Sequence, residues 1–207
     1  MKHFYHHNEE SNKVFILLHG TGGRETDLLH VAGNVDPTLS VLGIRGDVVE
    51  DGHFRYFKRQ KDGSMDEESL LSNTDRLLRF INDASSRYQM DGRELHLIGY
   101  SNGANMAVSL LLHQPCLFKS AILLHPSNPL SSFNGALLKD IEVFLTSGAR
   151  DQMVLPGEVF QLKKHLLELH ANVKVHLTDK GHELVEEEIT EAAKWWKGQI
   201  HNEGGSR

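Results

Sequence analysis

The sequence contains a single cysteine, Cys116, among its 207 residues, and it has few prolines and aromatic residues. One cysteine cannot form an intrachain disulfide, which favours a reducing compartment. The N-terminal residues lack the apolar segment of a signal peptide, and no later apolar run is long enough to cross a bilayer. We therefore expect a cytoplasmic protein without a membrane segment.

Positive charge is also scarce. The chain has 22 lysines and arginines against 28 acidic residues, a net charge of −6 with neutral histidines. This balance argues against nucleic acid or an anionic membrane as the main partner. Fourteen histidines are present, but the chain has no HExxH, no paired-cysteine spacing, no calcium loop, no GxGxxG and no Walker lysine. We expect neither a metal nor a cofactor.

Short apolar runs alternate with longer helical patterns, which is typical of a mostly parallel sheet flanked by helices. The sequence therefore predicts an α/β fold in one domain, residues 1–207, with an ordered core over about 13–200 and a flexible tail at 202–207. Predicted strands end near Gly20, Gly46, Tyr100, His125, Gly148 and Thr178. Two polar, turn-rich segments, 47–65 and 126–138, follow strand ends, and we expect them to form pocket walls because ligands bind at that edge of such sheets.

The stretch "GYSNG", residues 99–103, lies between a predicted strand and a predicted helix. GxSxG in this context is the nucleophile elbow, a turn so tight that larger side chains two positions from the serine would collide with neighbouring backbone. The helix behind the serine directs its N–H groups toward charge that develops on a substrate oxygen. This pattern predicts that Ser101 is a nucleophile.

A serine nucleophile needs a histidine base and an acid that orients the base, here in the chain order serine, acid, histidine. Seven histidines follow Ser101. His182 follows the last predicted strand in a Gly-containing loop, so we predict it as the base, and His125 as a residue that lines the site. Asp151 directly follows a buried strand, and we predict it as the acid.

Two backbone N–H groups are needed to bind an oxyanion. We expect one from Asn102 and the other from Thr21, which lies in the Gly-rich turn "HGTGG" after the first predicted strand. Only residues 126–140 are available for an insertion, too few for a cap domain, so we expect an open site. Its expected substrate contacts are Phe54, Tyr56, Phe57, His125, Phe133 and Met153. Arg55 is expected to be a solvated surface residue rather than an anion-binding one.

The motifs "LLHGTGG", "GYSNGAN", "SGARDQMV" and "KGHEL" occur in this order. The chain resembles the phospholipase/carboxylesterase family of small α/β-hydrolases over residues 13–196, and within it the bacterial carboxylesterases associated with hydroquinone stress. The resemblance implies the same roles for Ser101, Asp151, His182, Thr21 and Asn102, and an α/β-hydrolase fold without a cap.

A serine carboxylesterase acting on small or short-chain esters is the function that the sequence favours. Two alternatives remain open: an acyl-protein or acyl-CoA thioesterase, and a non-catalytic binding protein on a hydrolase fold. The thioesterase branch of the family usually has GFSQGG where this chain has Asn102, Gly103 and Ala104 after the serine. The expected partner is a small-molecule ester, and the sequence leaves a homodimer open.

Overall fold

A seven-stranded sheet organises the structure, a computed structural model that describes residues 1–128 and 137–203. Its strand order is β1-β3-β2-β6-β7-β8-β9. All neighbouring pairs are parallel except β1 with β3. The strands are β1 (His3–His6), β2 (Lys13–Leu18), β3 (Ser40–Ile44), β4 (Val48–Glu50), β5 (His53–Arg55), β6 (Glu94–Tyr100), β7 (Phe118–Leu124), β8 (Glu142–Gly148) and β9 (Asn172–Thr178). The helices are α1 (Leu29–Val35), α2 (Glu67–Arg87), α3 (Asn102–His113), α4 (Pro156–Glu168) and α5 (Glu186–Glu203). The predicted architecture of a mostly parallel sheet between helices is confirmed.

Helices cover both faces of the sheet, which is why the central strands are apolar at nearly every position. Along β2, Ile16 faces a cluster that contains side chains of α2, α3 and α4. Phe15 faces a second cluster, where Trp196 of α5 packs with residues of α1. Successive strand residues therefore belong to different cores, as the alternation of side chains along a strand requires.

Three elements differ from the sequence-based expectation. β1 pairs with β3 although it precedes the ordered core that was expected from residue 13. The short helix α1 had no recognised periodic pattern, since only seven residues form it. Segment 47–65 contains the hairpin of β4 and β5, a two-stranded sheet of its own. In the described part of the chain, no helix has the length and apolarity that a membrane crossing requires.

The parallel strands direct their carboxyl ends to one edge of the sheet. The turns after β2, β6, β7, β8 and β9 all lie at that edge, and they carry Thr21, Ser101, His125, Asp151 and His182 respectively. Ligands of open α/β sheets bind at this edge. The topology thus brings together side chains that are far apart along the chain.

Candidate active site

The serine turn between β6 and α3 has a strained backbone. Ser101 has φ 50° and ψ −112°, an unusual conformation for a residue with a side chain. Glycine is needed on both sides of it: a Cβ at Gly99 would lie 2.7 Å from the carbonyl oxygen of Gly103, and a Cβ at Gly103 would overlap the backbone of Leu18. The predicted tight elbow is therefore the observed turn, and α3 begins directly behind the serine.

A chain of hydrogen bonds joins three side chains at the sheet edge. Ser101 Oγ lies 2.8 Å from His182 Nε2, and His182 Nδ1 lies 2.7 Å from Asp151 Oδ2. Since a carboxylate only accepts hydrogen bonds, Nδ1 carries the proton and Nε2 is free to accept from the serine hydroxyl. The structure places the three predicted residues in the geometry of a nucleophile, a base and an orienting acid.

Asp151 is buried and fully hydrogen-bonded. Its Oδ1 accepts from the backbone N–H groups of Met153 and Val154 at 2.8 and 2.9 Å, and its Oδ2 faces two imidazoles. Burial opposes ionisation of the carboxyl, but these donors outweigh it and hold the pKa of Asp151 below its ordinary value. The acid is thus an anion at neutral pH with its two oxygens in fixed directions.

The loops that carry Asp151 and His182 are hydrogen-bonded to each other. Ala149 N–H donates to Thr178 O and Arg150 N–H donates to Lys180 O, both at 2.8 Å. Gly148, the last residue of β8, makes this contact possible, because a side chain there would overlap the backbone at Gly181. These contacts fix the separation of the two loops.

Segment 47–65, for which the sequence predicted no regular structure, holds the turn after β2 in place. The hydroxyl of Thr21 accepts from Arg55 Nη1 at 2.7 Å, and Gly22 N–H donates to Phe54 O at 2.8 Å. His19 N–H donates to the Tyr56 hydroxyl at 3.0 Å, and that hydroxyl donates to a carbonyl of β3. Burial raises the pKa of Tyr56 well above its ordinary value, so the phenol keeps its proton. The hairpin segment therefore sets the position of Thr21.

Ser101 and His182 open into a cavity of about 520 Å³. Its apolar wall comes from Phe57, Met65, Leu70, Met153 and Val154, and its polar wall includes Arg55, Arg59, Glu67, Asn105, Ser127, Asn128 and Glu158. Thr21 and Asn102 also line it, on the side of the serine turn. The wall of the cavity is thus mixed, with apolar and polar side chains next to each other, as in many ligand sites.

Comparisons with known proteins agree with this architecture. The Phospholipase/Carboxylesterase family matches residues 50–199. The chain is 38% identical over 200 residues to MhqD of Bacillus subtilis strain 168, whose name describes a hydrolase, covering 97% of this chain and all of that protein. This chain belongs to the phospholipase/carboxylesterase family.

Solved structures of relatives show the same fold along nearly the whole chain. The Bacillus cereus carboxylesterase is 40% identical, with a TM-score of 0.92, and the match covers 96% of this chain and 94% of that one. The structure of YahD with malic acid is 29% identical, with a TM-score of 0.90 and coverage of 95% and 98%. The α/β-hydrolase fold expected from the sequence is confirmed.

Within this carboxylesterase fold, the predicted substrate contacts divide into three groups. Phe57 and Met153 line the cavity. Tyr56 and His125 do not line it, because both are buried behind its wall. Phe54 does not line it either, and its ring lies beside Arg45. Direct substrate contact by Tyr56 and His125 is therefore corrected, whereas for Phe54 it stays a prediction. Phe133 lies outside the described residues.

Arg55 also differs from its prediction. It is only 6% exposed, whereas we expected a solvated surface arginine. Its Nε donates to Phe57 O at 3.2 Å and lies 3.5 Å from a Glu50 carboxylate oxygen, in addition to the bond with Thr21. Three acceptors around one guanidinium explain how its charge is tolerated in a buried place.

The sequence analysis missed Glu188, which is fully buried beneath the site. Its Oε1 lies 2.8 Å from Nε2 of His125, and His125 Nδ1 lies 3.2 Å from Asp151 Oδ2. One signal was present in the sequence: Glu188 shares a helical face with Ala192 and Trp195, both buried, so it is an acid on an apolar stripe.

His125, Asp151 and His182 are near enough to one another to suggest a metal site, with ligand atoms within 4.8 Å. Those atoms are already used in hydrogen bonds among the three residues. A metal ion would have to replace the proton on His182 Nδ1 that fixes its tautomer. The donor set therefore fits a proton-transfer site better than a metal centre.

Proposed function

We propose that the chain is a serine carboxylesterase that hydrolyses small or short-chain carboxylic esters, with Ser101 as nucleophile, His182 as base and Asp151 as orienting acid. One observation carries the proposal: the continuous hydrogen bonds from Ser101 Oγ through His182 to Asp151, at 2.8 and 2.7 Å, at the mouth of a cavity. A serine hydroxyl is nearly inert at neutral pH, and such a base makes it reactive.

The reaction has two halves. His182 Nε2 takes the proton from Ser101 Oγ, and the oxygen attacks the ester carbonyl. The carbonyl oxygen becomes an oxyanion that accepts from the N–H groups of Thr21 and Asn102. His182 then gives its proton to the leaving alcohol, and water repeats the sequence on the acyl-serine, which releases the acid and restores the hydroxyl.

The proposed oxyanion donors have support from local structure. Asn102 is the first residue of α3, and the first N–H groups of a helix have no partner within the helix. Its side-chain Oδ1 accepts from Tyr56 N–H at 2.8 Å, which ties the helix start to the segment that holds Thr21. The two donors are thus part of one connected framework.

Short acyl groups suit the cavity wall. Charged side chains, Arg55, Arg59, Glu67 and Glu158, interrupt its apolar surface. A long acyl chain would cover some of these groups without offering them a hydrogen bond, which costs free energy. Between β7 and β8 the chain has only residues 125–141, so a large cap cannot extend the apolar surface.

The decisive experiment replaces the nucleophile. We expect Ser101→Ala to lower kcat for p-nitrophenyl butyrate by roughly a million-fold, the loss seen in the best-studied serine triad. Fluorophosphonate labelling should disappear in the same variant and persist in Ser86→Ala, an exposed serine on α2. Turnover by Ser101→Ala close to that of the unmodified chain would exclude the assignment.

The same assay defines the substrate class. Acetate and butyrate esters should be hydrolysed with higher kcat/KM than palmitate, and the oxygen ester faster than the thioester of the same acyl group. A preference for palmitate would contradict the short-chain proposal, and a preference for the thioester would favour a thioesterase using the same three residues.

A further inference from the structure

One buried imidazole touches the proposed triad but has no part in the steps above. His125 directly follows β7 and is completely inaccessible to solvent. Its φ is 52°, a left-handed conformation that is unfavourable for a residue with a side chain. The backbone N–H of His125 donates to Thr146 Oγ1 at 3.3 Å. The surrounding structure must hold this residue in place, which suggests that its side chain has a role.

Both ring nitrogens of His125 face carboxylates. Nδ1 lies 3.2 Å from Asp151 Oδ2, the same oxygen that accepts from His182, and Nε2 lies 2.8 Å from Glu188 Oε1. A neutral imidazole carries one N–H and one lone pair, so either tautomer would direct a lone pair at a carboxylate. The 2.8 Å contact with Glu188 is an ion-pair distance whose angles fall outside those of a hydrogen bond, so attraction between charges, rather than a second hydrogen bond, favours the doubly protonated ring.

We propose that His125 is an imidazolium at neutral pH, with buried Glu188 as its counter-ion, and that it is a positioning residue for the triad. It holds the Asp151 carboxylate ionised and in place, and its charge lies beside the ring of His182, where it enters the pH dependence of the reaction. This inference rests on the proposed function for its catalytic consequence, but the protonation state of His125 can be tested without it.

The groups around His125 favour its charged form. Burial lowers the pKa of His125, but the carboxylates of Glu188 on α5 and Asp151 after β8 outweigh it and raise that pKa above its ordinary value. The other titratable groups that face the ring are His182 after β9, with ring centroids 5.2 Å apart, and Tyr100 of β6, at 6.0 Å. Burial raises the pKa of Tyr100, so this phenol remains neutral.

Glu188 is suited to be a permanent anion in this place. It is the first buried residue of α5. Its second carboxylate oxygen accepts from the backbone N–H of Val185 at 3.1 Å. Burial opposes its ionisation, but the contact with His125 and the other donors hold its pKa below the ordinary value. One carboxylate oxygen of Glu188 is therefore paired with the His125 ring and the other is hydrogen-bonded to the backbone, which offsets part of the cost of burying the charge.

Nuclear magnetic resonance tests the protonation directly. In protein with ¹⁵N-labelled histidine side chains, we expect the His125 ring to show two protonated nitrogens from about pH 6 to about pH 8, a range in which an ordinary histidine titrates. Its signal is identified by its loss in His125→Asn. An unprotonated ring nitrogen at pH 7 in the unmodified chain would overturn the proposal, whether or not the protein is active.

Glu188→Gln tests the effect on the triad. The variant keeps the size of the side chain, and its carboxamide can donate to the His125 lone pair, so His125 should become neutral with one protonated nitrogen. The variant removes the cation in ring contact with His182 together with the Glu188 anion behind it, so the nearer change should dominate and shift the acidic limb of the kcat/KM profile upward by up to about one pH unit. Glu187→Gln removes the same charge from an exposed neighbour and should leave the limb unchanged.

The outcomes separate this inference from the proposed function. If the unmodified enzyme is active and Glu188→Gln has the same acidic limb, then His125 and Glu188 do not affect the pH dependence of the reaction. A purely structural pair would lower stability in the variant without moving that limb. Absence of ester hydrolysis and of Ser101 labelling in the unmodified chain overturns the proposed function instead, while the ¹⁵N spectrum still decides the charge of His125.

Discussion

Gly148→Ala probes the contact between the acid loop and the base loop. A Cβ at Gly148 would lie 2.0 Å from Gly181 O and 2.6 Å from Lys180 O, whereas real Cβ atoms essentially never come closer than 3.0 Å. Both obstacles are backbone atoms, so no side chain can rotate away to accommodate the methyl group. The loops must separate by about 1 Å, and a displacement of that size in an active site can cost about a hundredfold in rate.

The displacement acts on the bond between Asp151 and His182. This bond is 2.7 Å long, and an added 1 Å would take it beyond hydrogen-bonding distance. We therefore expect Gly148→Ala to lower kcat for p-nitrophenyl butyrate by about a hundredfold, with a much smaller change in KM. Overpacking should also lower the free energy of unfolding by about 1–3 kcal/mol, measured by urea denaturation.

Gly157→Ala is the matched control. Gly157 lies in α4, and a Cβ added there would meet no atom within 4 Å. Gly157 lies in the first turn of α4, where alanine is compatible with the backbone and restricts the unfolded chain, so this variant should be fully active and more stable by about 0.4–1 kcal/mol. A folded Gly148→Ala enzyme with the kcat of the unmodified chain would refute the reasoning, because the loop contact would then not set the triad geometry.

Two further variants test the framework and its pH dependence. Arg55→Lys removes the planar group that holds Thr21, and we expect kcat to fall about tenfold through a less well-placed oxyanion donor. Arg87→Lys, at an exposed arginine in the last turn of α2, is the control that should be unaffected. Burial lowers the pKa of His96 in the folded protein to about 3, whereas its pKa in the unfolded chain is about 6.5. Below pH 6.5 the unfolded state therefore binds a proton that the folded state does not bind, and stability falls. His96 should therefore cost the unmodified chain about 1.6 kcal/mol of unfolding free energy between pH 6.5 and 5, measured by urea denaturation, and His96→Asn should lose less. Equal losses in both proteins would show that His96 does not cause the pH dependence.

Local patterns were sufficient to predict most of the sheet and the placement of three functional side chains. Ser101 lies in a turn whose glycines are required by backbone contacts within a few ångströms, so the motif itself contains the constraint. Asp151 and His182 follow apolar strands, and parallel strands direct their ends to one edge. Their convergence follows from topology and does not require knowledge of side-chain packing.

The parts that were missed depend on contacts between distant segments. Arg55 looks like a surface residue in a polar stretch, and only the hairpin of β4 and β5 places it against Thr21. Glu188 belongs to a run of three glutamates that resembles a solvated helix start, and its burial follows from the direction in which α5 meets the sheet. A single sequence does not specify either contact.

The charges beneath the site give a reason for a histidine at position 125. With His125 protonated, Asp151 and Glu188 leave the cluster with a net charge of −1 at rest, and the proton taken from Ser101 by His182 brings it to zero. The buried cluster is thus neutral when the oxyanion forms, and interactions that strengthen toward the transition state are the ones that accelerate a reaction.

A neutral residue at position 125 would leave two buried carboxylates without a cation between them. Burial would then favour protonation of one of the two carboxylates, and a protonated Asp151 could not hold His182 in the tautomer that accepts the proton of Ser101. An apolar residue would fill the same space, but it would leave Glu188 buried without a counter-ion. Protonated His125 therefore allows a second carboxylate beneath the triad while keeping Asp151 ionised.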